Sequence, residues 1–263
     1  MRISEGTRAI VTGASKGIGR ALAQALHARG ATVGLAARSE SELAALADSL
    51  GARAIVLPCD VADASSVAGA VERFAAEAGG LEVAIANAGI AHYGRFEDQD
   101  PSLHDRMTSV NWLGTLHTAR AALPHLRAGG GGQLVIVSSG AGLRAFPEAA
   151  VYGATKAAQR AFAEALRHEL AGSGVSVTTV FPGEIVSSLH DHEKATMPAW
   201  YHGESQAAPA AGLAAAVLAG IEADRRRVAY PREVSLLALN AVAPGLVDRL
   251  LRRLRGDSAA PRR

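Results

Sequence analysis

Short strand-like runs alternate with longer helical segments along this 263-residue chain, and that alternation constrains the fold more than any other feature. The longer segments are rich in alanine and carry apolar residues at helical spacing. Strands separated by helices of this length predict βαβ units and a parallel sheet. The predicted strands are 8–12, 32–36, 54–57, 83–86, 134–137 and 175–181, and the clearest helices are 19–29, 40–50, 65–77 and 152–170.

The predicted strands lack alternating polar residues, which is typical of strands covered by helices on both faces. We therefore expect a three-layer, doubly wound α/β fold. Hydrophobic residues make up 49% of the chain and charged residues 20%, so there is enough apolar material for a large core. No linker or shift in composition divides the sequence, which predicts one domain over residues 1–263.

Charge and cysteine content narrow the class of protein. A net charge of +2 argues against nucleic acid as the main partner. The single cysteine, Cys59, rules out an internal disulfide framework and favours a reducing compartment. The first residues contain no apolar signal core, and no uninterrupted apolar run reaches the roughly 18 residues of a membrane span. A cytoplasmic location is expected.

Residues 184–209, which follow the sixth predicted strand, do not continue the alternation of strands and helices. This segment predicts a helical lid. Met197, Trp200 and Tyr201 lie in this segment and favour a fairly apolar ligand. The segment also contains three histidines, but no acidic or cysteine cluster accompanies them at metal-ligand spacing, so no metal site is predicted. These histidines are His190, His192 and His202.

The C-terminal tail, residues 234–263, begins with fourteen residues that carry no charge and continues into an arginine-rich stretch. An apolar segment joined to a basic one can lie on an anionic membrane surface. The same composition fits a pocket lid or a contact between subunits, and we favour this second interpretation.

A glycine-rich loop closes the first predicted strand and opens the first helix. Glycines permit a tight turn there, and a helix N-terminus offers free N–H groups to a pyrophosphate. The loop lacks the Gly-Lys-Ser/Thr ending of a nucleotide-triphosphatase loop. It reads Thr12-Gly13-Ala14-Ser15-Lys16-Gly17-Ile18-Gly19.

The end of the second strand indicates which dinucleotide the chain would take. A cofactor with a bare ribose favours an acidic residue there, and none is present. Arg38 is available instead, with Lys16 in the glycine loop. Two cations suit an extra 2′-phosphate, so NADP(H) is favoured over NAD(H).

Tyr152 and Lys156 stand four residues apart on a predicted helix and therefore share one face. A neighbouring cation favours the phenolate and lowers the pKa of a tyrosine, which prepares it for acid–base chemistry. Lysine is rare in this chain, at only three of 27 basic residues. Ser139 stands thirteen positions before Tyr152.

Taken together, these motifs resemble the short-chain dehydrogenase/reductase superfamily, in its single-domain type, over about residues 6–230. That family has a Rossmann-like sheet, usually of seven parallel strands, and transfers hydride between a nicotinamide and a carbonyl or alcohol. The residues that carry the resemblance are the glycine loop, Asn87-Ala88-Gly89, Asn111, Ser139, Tyr152, Lys156 and Pro182-Gly183.

The resemblance implies roles for four catalytic residues. Tyr152 would protonate the carbonyl oxygen during reduction and act as the base in reverse. Lys156 would lower the pKa of Tyr152 and bond the nicotinamide ribose. Ser139 would hydrogen-bond the substrate oxygen, and Asn111 would hold a water that links Lys156 to solvent.

Contacts to the cofactor are implied in the same way, with Asp60-Val61 at the adenine and Pro182-Gly183 at the carboxamide. Ala86 and Ser187 stand where the family often has asparagine and threonine. The full set is Gly13, Ser15, Lys16, Gly17, Ile18, Gly19, Arg38, Asp60, Val61, Asn87, Ala88, Gly89, Tyr152, Lys156, Pro182, Gly183, Ile185 and Ser187.

These observations predict an NADP(H)-dependent oxidoreductase that interconverts a carbonyl and an alcohol. The alternatives are a non-catalytic NADP(H)-binding regulatory protein and a membrane-surface reductase of a lipid-like substrate. The resemblance also implies a homodimer or homotetramer that packs through helices around 103–126 and 152–170. Candidates for the substrate pocket are His92, Tyr93, Arg144 and Phe146.

Overall fold

The computed structural model describes residues 1–187, 197–198 and 207–255, and within them strands alternate with helices. The strands are β1 (Arg8–Thr12), β2 (Thr32–Ala37), β3 (Ala54–Pro58), β4 (Val83–Ala86), β5 (Gly132–Val137), β6 (Val175–Pro182) and β7 (Arg227–Tyr230). The helices are α1 (Gly17–Ala28), α2 (Glu40–Leu50), α3 (Ala64–Ala78), α4 (Pro101–Met107), α5 (Gly114–Ala128), α6 (Ala150–Glu169), α7 (Ala210–Glu222) and α8 (Pro244–Arg255).

All seven strands pair in parallel in one sheet of order β3-β2-β1-β4-β5-β6-β7. The predicted fold class and the strand number implied by the resemblance are confirmed. Each of the six predicted strands ends within one or two residues of the observed strand. The predicted helices 19–29, 65–77 and 152–170 shift by one or two residues at their ends.

Two apolar layers hold the helices to the sheet. Leu22 and Leu26 of α1, Leu43 of α2 and Leu213 of α7 pack on one face. The other face is covered by α3, α5 and α6, with Phe74 of α3 fully buried. Because both faces are covered, the strands carry apolar residues on both sides, which explains why they lack polar alternation.

The connectivity fixes where a ligand can bind. From β1 the chain moves outward to β2 and β3, and it then returns to the other side of β1 to form β4. The connections after β1 and β4 therefore leave in opposite directions and open a crevice at the carboxyl ends of these strands. The glycine loop follows β1, and Asn87-Ala88-Gly89 follows β4.

The C-terminal region is folded against this domain rather than separate from it. A 3₁₀ helix spans Arg232–Ala241 and leads into α8. Arg144, in the loop after β5, forms an ion pair with Asp248 of α8. Most of the predicted lid, including Trp200, Tyr201 and the three histidines, lies outside the described residues. Within the part of the chain that is described, no helix is both long and apolar enough to cross a bilayer.

Two glycines allow a matched test of the packing between β2 and α3. A Cβ on Gly34 of β2 would lie 2.6 Å from Cδ2 of Phe74, whereas a Cβ on Gly69 in the interior of α3 meets nothing within 4 Å. Gly34→Ala should lower the free energy of unfolding by about 1–3 kcal/mol through overpacking. Gly69→Ala should raise it by up to about 1 kcal/mol, because alanine favours the helix. Urea denaturation measures both changes, and a stability unchanged by Gly34→Ala would contradict this packing.

Candidate active site

A cavity of about 920 Å³ opens at the carboxyl ends of β1, β4, β5 and β6. Every residue that the sequence predicts to contact a cofactor lines it, from Gly13 at one end to Ser187 at the other. Of the four predicted catalytic residues, Ser139, Tyr152 and Lys156 line the cavity and Asn111 does not. The fold therefore brings together residues that are up to 174 positions apart in the chain.

The glycine loop is packed too tightly for side chains at two positions. Gly13 adopts a φ of 69°, and a Cβ there would lie 2.9 Å from Cα of Ala88. A Cβ on Gly19 would lie only 2.1 Å from the carbonyl oxygen of Gly13. As a result, the first turn of α1 lies directly against the loop, and Gly17, Ile18 and Gly19 line the cavity. The first turn of a helix has free N–H groups that can bind an anion.

Asn87 joins the glycine loop to the end of β4. Its Nδ2 donates to the carbonyl oxygen of Thr12 at 2.9 Å, and its backbone N–H donates to Oγ1 of Thr12 at 3.0 Å. Thr12 Oγ1 in turn donates to the carbonyl oxygen of Ile85 at 3.2 Å. These bonds hold the two loops of the crevice at a fixed separation.

The two predicted cations, Arg38 after β2 and Lys16 in the glycine loop, differ in their surroundings. Arg38 is exposed and lines the cavity. Lys16 forms an ion pair with Glu42 of α2, with Nζ 2.8 Å from the carboxylate oxygen. This hydrogen bond from Lys16 lowers the pKa of Glu42. Glu42 also lines the cavity, and the sequence analysis did not single it out.

Tyr152 and Lys156 lie in the first two turns of α6, and Ser139 follows the end of β5. Tyr152 is 7% exposed and Lys156 4%. Lys156 Nζ donates to the carbonyl oxygen of Val137, the last residue of β5, at 3.0 Å. Ser138 Oγ donates to the carbonyl oxygen of Lys156 at 2.7 Å. Helix α6 is thus tied to β5 where Ser139, Tyr152 and Lys156 line the cavity.

Burial moves the pKa values of Tyr152 and Lys156 in opposite directions and away from each other. Loss of solvent raises the pKa of the Tyr152 hydroxyl, and a hydrogen bond with Ser139 opposes that rise. Loss of solvent also lowers the pKa of Lys156 to about 7. In both cases the neutral form is favoured, because a buried charge loses its hydration.

The expected lowering of the Tyr152 pKa by Lys156 therefore requires correction. The Lys156 Nζ lies 5.8 Å from the centre of the Tyr152 ring and bonds the Val137 carbonyl. At this separation burial dominates, and the pKa of Tyr152 rises. The partner that lowers it is Ser139.

Asn111 lies beside the cavity, fully buried in a π-helical segment, Thr108–Leu113. Its side chain accepts from the Ile90 N–H at 2.8 Å, and it donates to the Ile90 carbonyl at 2.9 Å and to Thr155 Oγ1 at 3.1 Å. The backbone carbonyl oxygen of Asn111 accepts hydrogen bonds from the side chains of Thr115 and Gln159. Asn111 therefore ties the segment between α4 and α5 to the loop after β4 and to α6.

Apolar side chains line the cavity beyond Tyr152. Of the four predicted pocket residues, Tyr93 and Phe146 line it, whereas His92 and Arg144 do not. Arg144 instead pairs with Asp248, and its guanidinium lies 5.8 Å from the centre of the Phe146 ring. Ile90 and Leu237 also line the cavity but were not predicted. Leu237 comes from the C-terminal 3₁₀ helix, about 90 residues beyond Phe146 in the chain.

Comparison with known proteins places this site in a family. A family model described as short chain dehydrogenase matches residues 7–198. An uncharacterized oxidoreductase of Staphylococcus aureus (strain MRSA252) is 36% identical over 182 residues, which are 69% of this chain and 79% of that protein. The chain belongs to the short chain dehydrogenase family of oxidoreductases.

Solved structures with this fold include an alcohol dehydrogenase from the archaeon Thermococcus sibiricus complexed with 5-hydroxy-NADP. It is 28% identical, with a TM-score of 0.76 over 85% of this chain and 95% of its own. A short chain dehydrogenase/reductase from Burkholderia phymatum in complex with NAD has a TM-score of 0.85 over 94% of this chain and 97% of its own. Its 24% identity bears on the fold alone.

Proposed function

We propose that this protein is an NADP(H)-dependent oxidoreductase that interconverts a carbonyl and an alcohol, with Tyr152 as general acid and base. The observation that carries the proposal is that Ser139, Tyr152 and Lys156 line the same cavity as the glycine loop. The 5-hydroxy-NADP in the structure of the Thermococcus sibiricus alcohol dehydrogenase supports a nicotinamide cofactor.

The residues present fit such a cofactor. The close contact between Gly13 and Ala88 leaves backbone rather than side chains at the glycine loop, where a pyrophosphate would bind. At the other end, the buried ammonium of Lys156 donates to a neutral backbone carbonyl, and ribose hydroxyls would give it further acceptors. Pro182, Gly183, Ile185 and Ser187 would hold the carboxamide. When bound, a reduced nicotinamide supplies a hydride and an oxidised one accepts it.

Proton transfer falls to Tyr152. In the reductive direction its hydroxyl gives a proton to the carbonyl oxygen as the carbonyl carbon gains the hydride. Burial raises the pKa of this hydroxyl and so favours its protonated form, and the hydrogen bond with Ser139 opposes that rise. Ser139 would donate a hydrogen bond to the same substrate oxygen and so stabilise the negative charge that develops there.

Lys156 would restore the proton that Tyr152 gives up. With a pKa of about 7, its amine can gain and lose a proton near neutral pH. Gly89 lies beside both Lys156 and Asn111: a Cβ there would be 3.4 Å from Nζ and 3.3 Å from Asn111 Oδ1. We propose that a water between these two atoms connects Lys156 to solvent, with Asn111 Oδ1 as its acceptor.

The apolar lining indicates the class of substrate. Ile90, Tyr93, Phe146 and Leu237 border the cavity near Tyr152. Met197, from the predicted lid, packs against the cluster that contains Tyr93, Tyr152 and Phe146. We propose that the substrate carries its carbonyl or hydroxyl group on an apolar body.

Tyr152→Phe tests the catalytic assignment. The variant should keep its affinity for NADPH but lose about 10²–10⁴-fold in turnover, the usual contribution of a general acid. Tyr230→Phe is a matched control, because this tyrosine ends β7 and does not line the cavity. Turnover is measured on a carbonyl or alcohol found in a panel screened with both cofactors.

Two outcomes would contradict this assignment. Near-normal turnover by Tyr152→Phe would remove Tyr152 from the chemistry. The absence of any turnover by the unmodified protein, despite tight NADPH binding, would favour a non-catalytic cofactor-binding protein.

Arg38 and Glu42 test the preference for NADP(H). Arg38→Ala should weaken NADPH about 10–100-fold and NADH little, because a charge-assisted hydrogen bond contributes about 1.5–3 kcal/mol. Glu42→Gln should change NADPH affinity in the opposite direction, since it frees Lys16 and removes a negative charge beside the expected 2′-phosphate. Titration of each variant with NADPH and with NADH measures the ratio of the two affinities. Equal effects of Arg38→Ala on the two cofactors would show that Arg38 does not contact the 2′-phosphate.

A further inference from the structure

The C-terminal 3₁₀ helix, Arg232–Ala241, has one row of apolar side chains toward the cavity. A 3₁₀ helix has three residues per turn, so side chains at i and i+3 fall in one line. Val234 and Leu237 form such a row. A Cβ on Gly183 would lie 2.8 Å from Val234 Cγ2, and one on Gly140 would lie 3.1 Å from Leu237 Cδ1. This row packs against the loops that border the cavity.

A second row on the same helix faces solvent. Leu236 and Leu239 are 61% and 56% exposed, and Val242, three residues further on, is 84% exposed. Leu246, in the first turn of α8, extends the apolar surface with 62% exposure. We call Leu236, Leu239, Val242 and Leu246 the exposed row. Four large apolar side chains exposed within eleven residues of the sequence mark an interaction surface.

The segment that carries the exposed row is fixed to the domain. Val247, the next residue in α8, is buried, and Asp248 pairs with Arg144. Because α8 is anchored through this side, the exposed row faces away from the core. The contacts of Val247 and Asp248 therefore fix the outward orientation of the exposed row.

Charge identifies the kind of partner. Residues 232–263 contain seven arginines and three acidic residues, a net charge of +4, whereas the chain as a whole carries +2. The rest of the sequence is thus slightly acidic, and the excess positive charge lies in the segment of sequence that carries the exposed row. Arg249 lies in α8, about one turn after Leu246 of the exposed row, and its side chain is exposed.

We propose that the exposed row and the arginines beside it dock the protein on an anionic lipid bilayer. The leucines would enter the boundary between headgroups and acyl chains, and the arginines would face the headgroups. A second copy of the chain is disfavoured as the occupant, because a two-fold contact would place two segments of charge +4 against each other.

Docking would also bring the cavity close to the lipid. Leu237, which lines the cavity, is the neighbour of Leu236 in the same helix. An apolar substrate could then reach the cavity without crossing much water. This consequence rests on the proposed function, whereas docking itself does not.

Vesicle sedimentation of the full chain tests the proposal. The probes are vesicles of phosphatidylcholine mixed with phosphatidylglycerol, with pure phosphatidylcholine as the neutral comparison. The protein should sediment with the anionic vesicles, and raising the ionic strength to about 0.5 M should release it as the charges are screened. The double variant Leu236→Gln, Leu239→Gln should lose about tenfold or more in vesicle affinity, because two leucines no longer leave water.

The matched control is Phe96→Gln, which is compared with the single variant Leu239→Gln. Both side chains are exposed, by 62% and 56%, and Phe96 lies outside the C-terminal segment. The control should bind the vesicles like the unmodified protein. Thermal unfolding and NADPH binding verify that all these variants are folded, and neither measurement depends on turnover.

Three results would overturn the proposal. The unmodified protein could remain in the supernatant with anionic vesicles, or the Leu236, Leu239 variant could bind them as tightly as the unmodified protein. Light scattering without lipid could also show that this variant, unlike the control, forms a smaller assembly. In that case the exposed row is a contact between copies of the chain.

Discussion

The hydrogen bond from the buried ammonium of Lys156 to the Val137 carbonyl is the interaction on which the arrangement of the site depends. An ammonium removed from water needs acceptors, and the protein provides one neutral carbonyl at 3.0 Å. The unfavourable burial appears in the pKa of Lys156, which falls to about 7. Close contacts around Lys156 fix its position. Ser138 bonds the Lys156 carbonyl, and Gly142 lies so close to it that a Cβ would approach within 2.7 Å.

That rigidity links the fold to the chemistry. Helix α6 presents Tyr152 and Lys156 on one face, and its contact with β5 sets their position relative to Ser139. Asn111 reinforces the same helix from the other side through Thr155 and Gln159. The sheet order then places the glycine loop across the crevice, so that one cavity holds both the proposed proton-transfer residues and the backbone proposed to bind the pyrophosphate.

Much of this arrangement follows from local sequence. Strand and helix positions come from periodicity, and the spacings of Ser139, Tyr152 and Lys156 locate the reactive residues within elements of known type. The predictions fail where a feature depends on tertiary packing. The short edge strand β7 and the uniformly apolar α7 give weak periodic signals. Periodicity located neither of them, although the resemblance implied a seventh strand. The Lys16–Glu42 pair depends on how α2 packs beside the glycine loop.

The roles of Asn111 and Leu237 illustrate the same limit. The sequence cannot reveal that the carbonyl of Asn111 is already bonded by two side chains, because these come from residues four and 48 positions away. Leu237 reaches the cavity only because the C-terminal segment packs back against Gly140 and Gly183. The C-terminal segment, whose sequence is apolar and then basic, therefore provides both a residue that lines the cavity and the exposed row.

The central claim is that Lys156 is a buried lysine that titrates near neutral pH beside Tyr152. The chain offers a direct measurement, because it contains only three lysines: Lys16, Lys156 and Lys194. Lysine labelled with ¹³C at Cε should give three signals, and Lys156→Met should identify one of them by its loss. The account predicts that this signal titrates with a pKa of about 7 in the protein alone. A midpoint near ~10.4, the value of an unperturbed lysine, would contradict it.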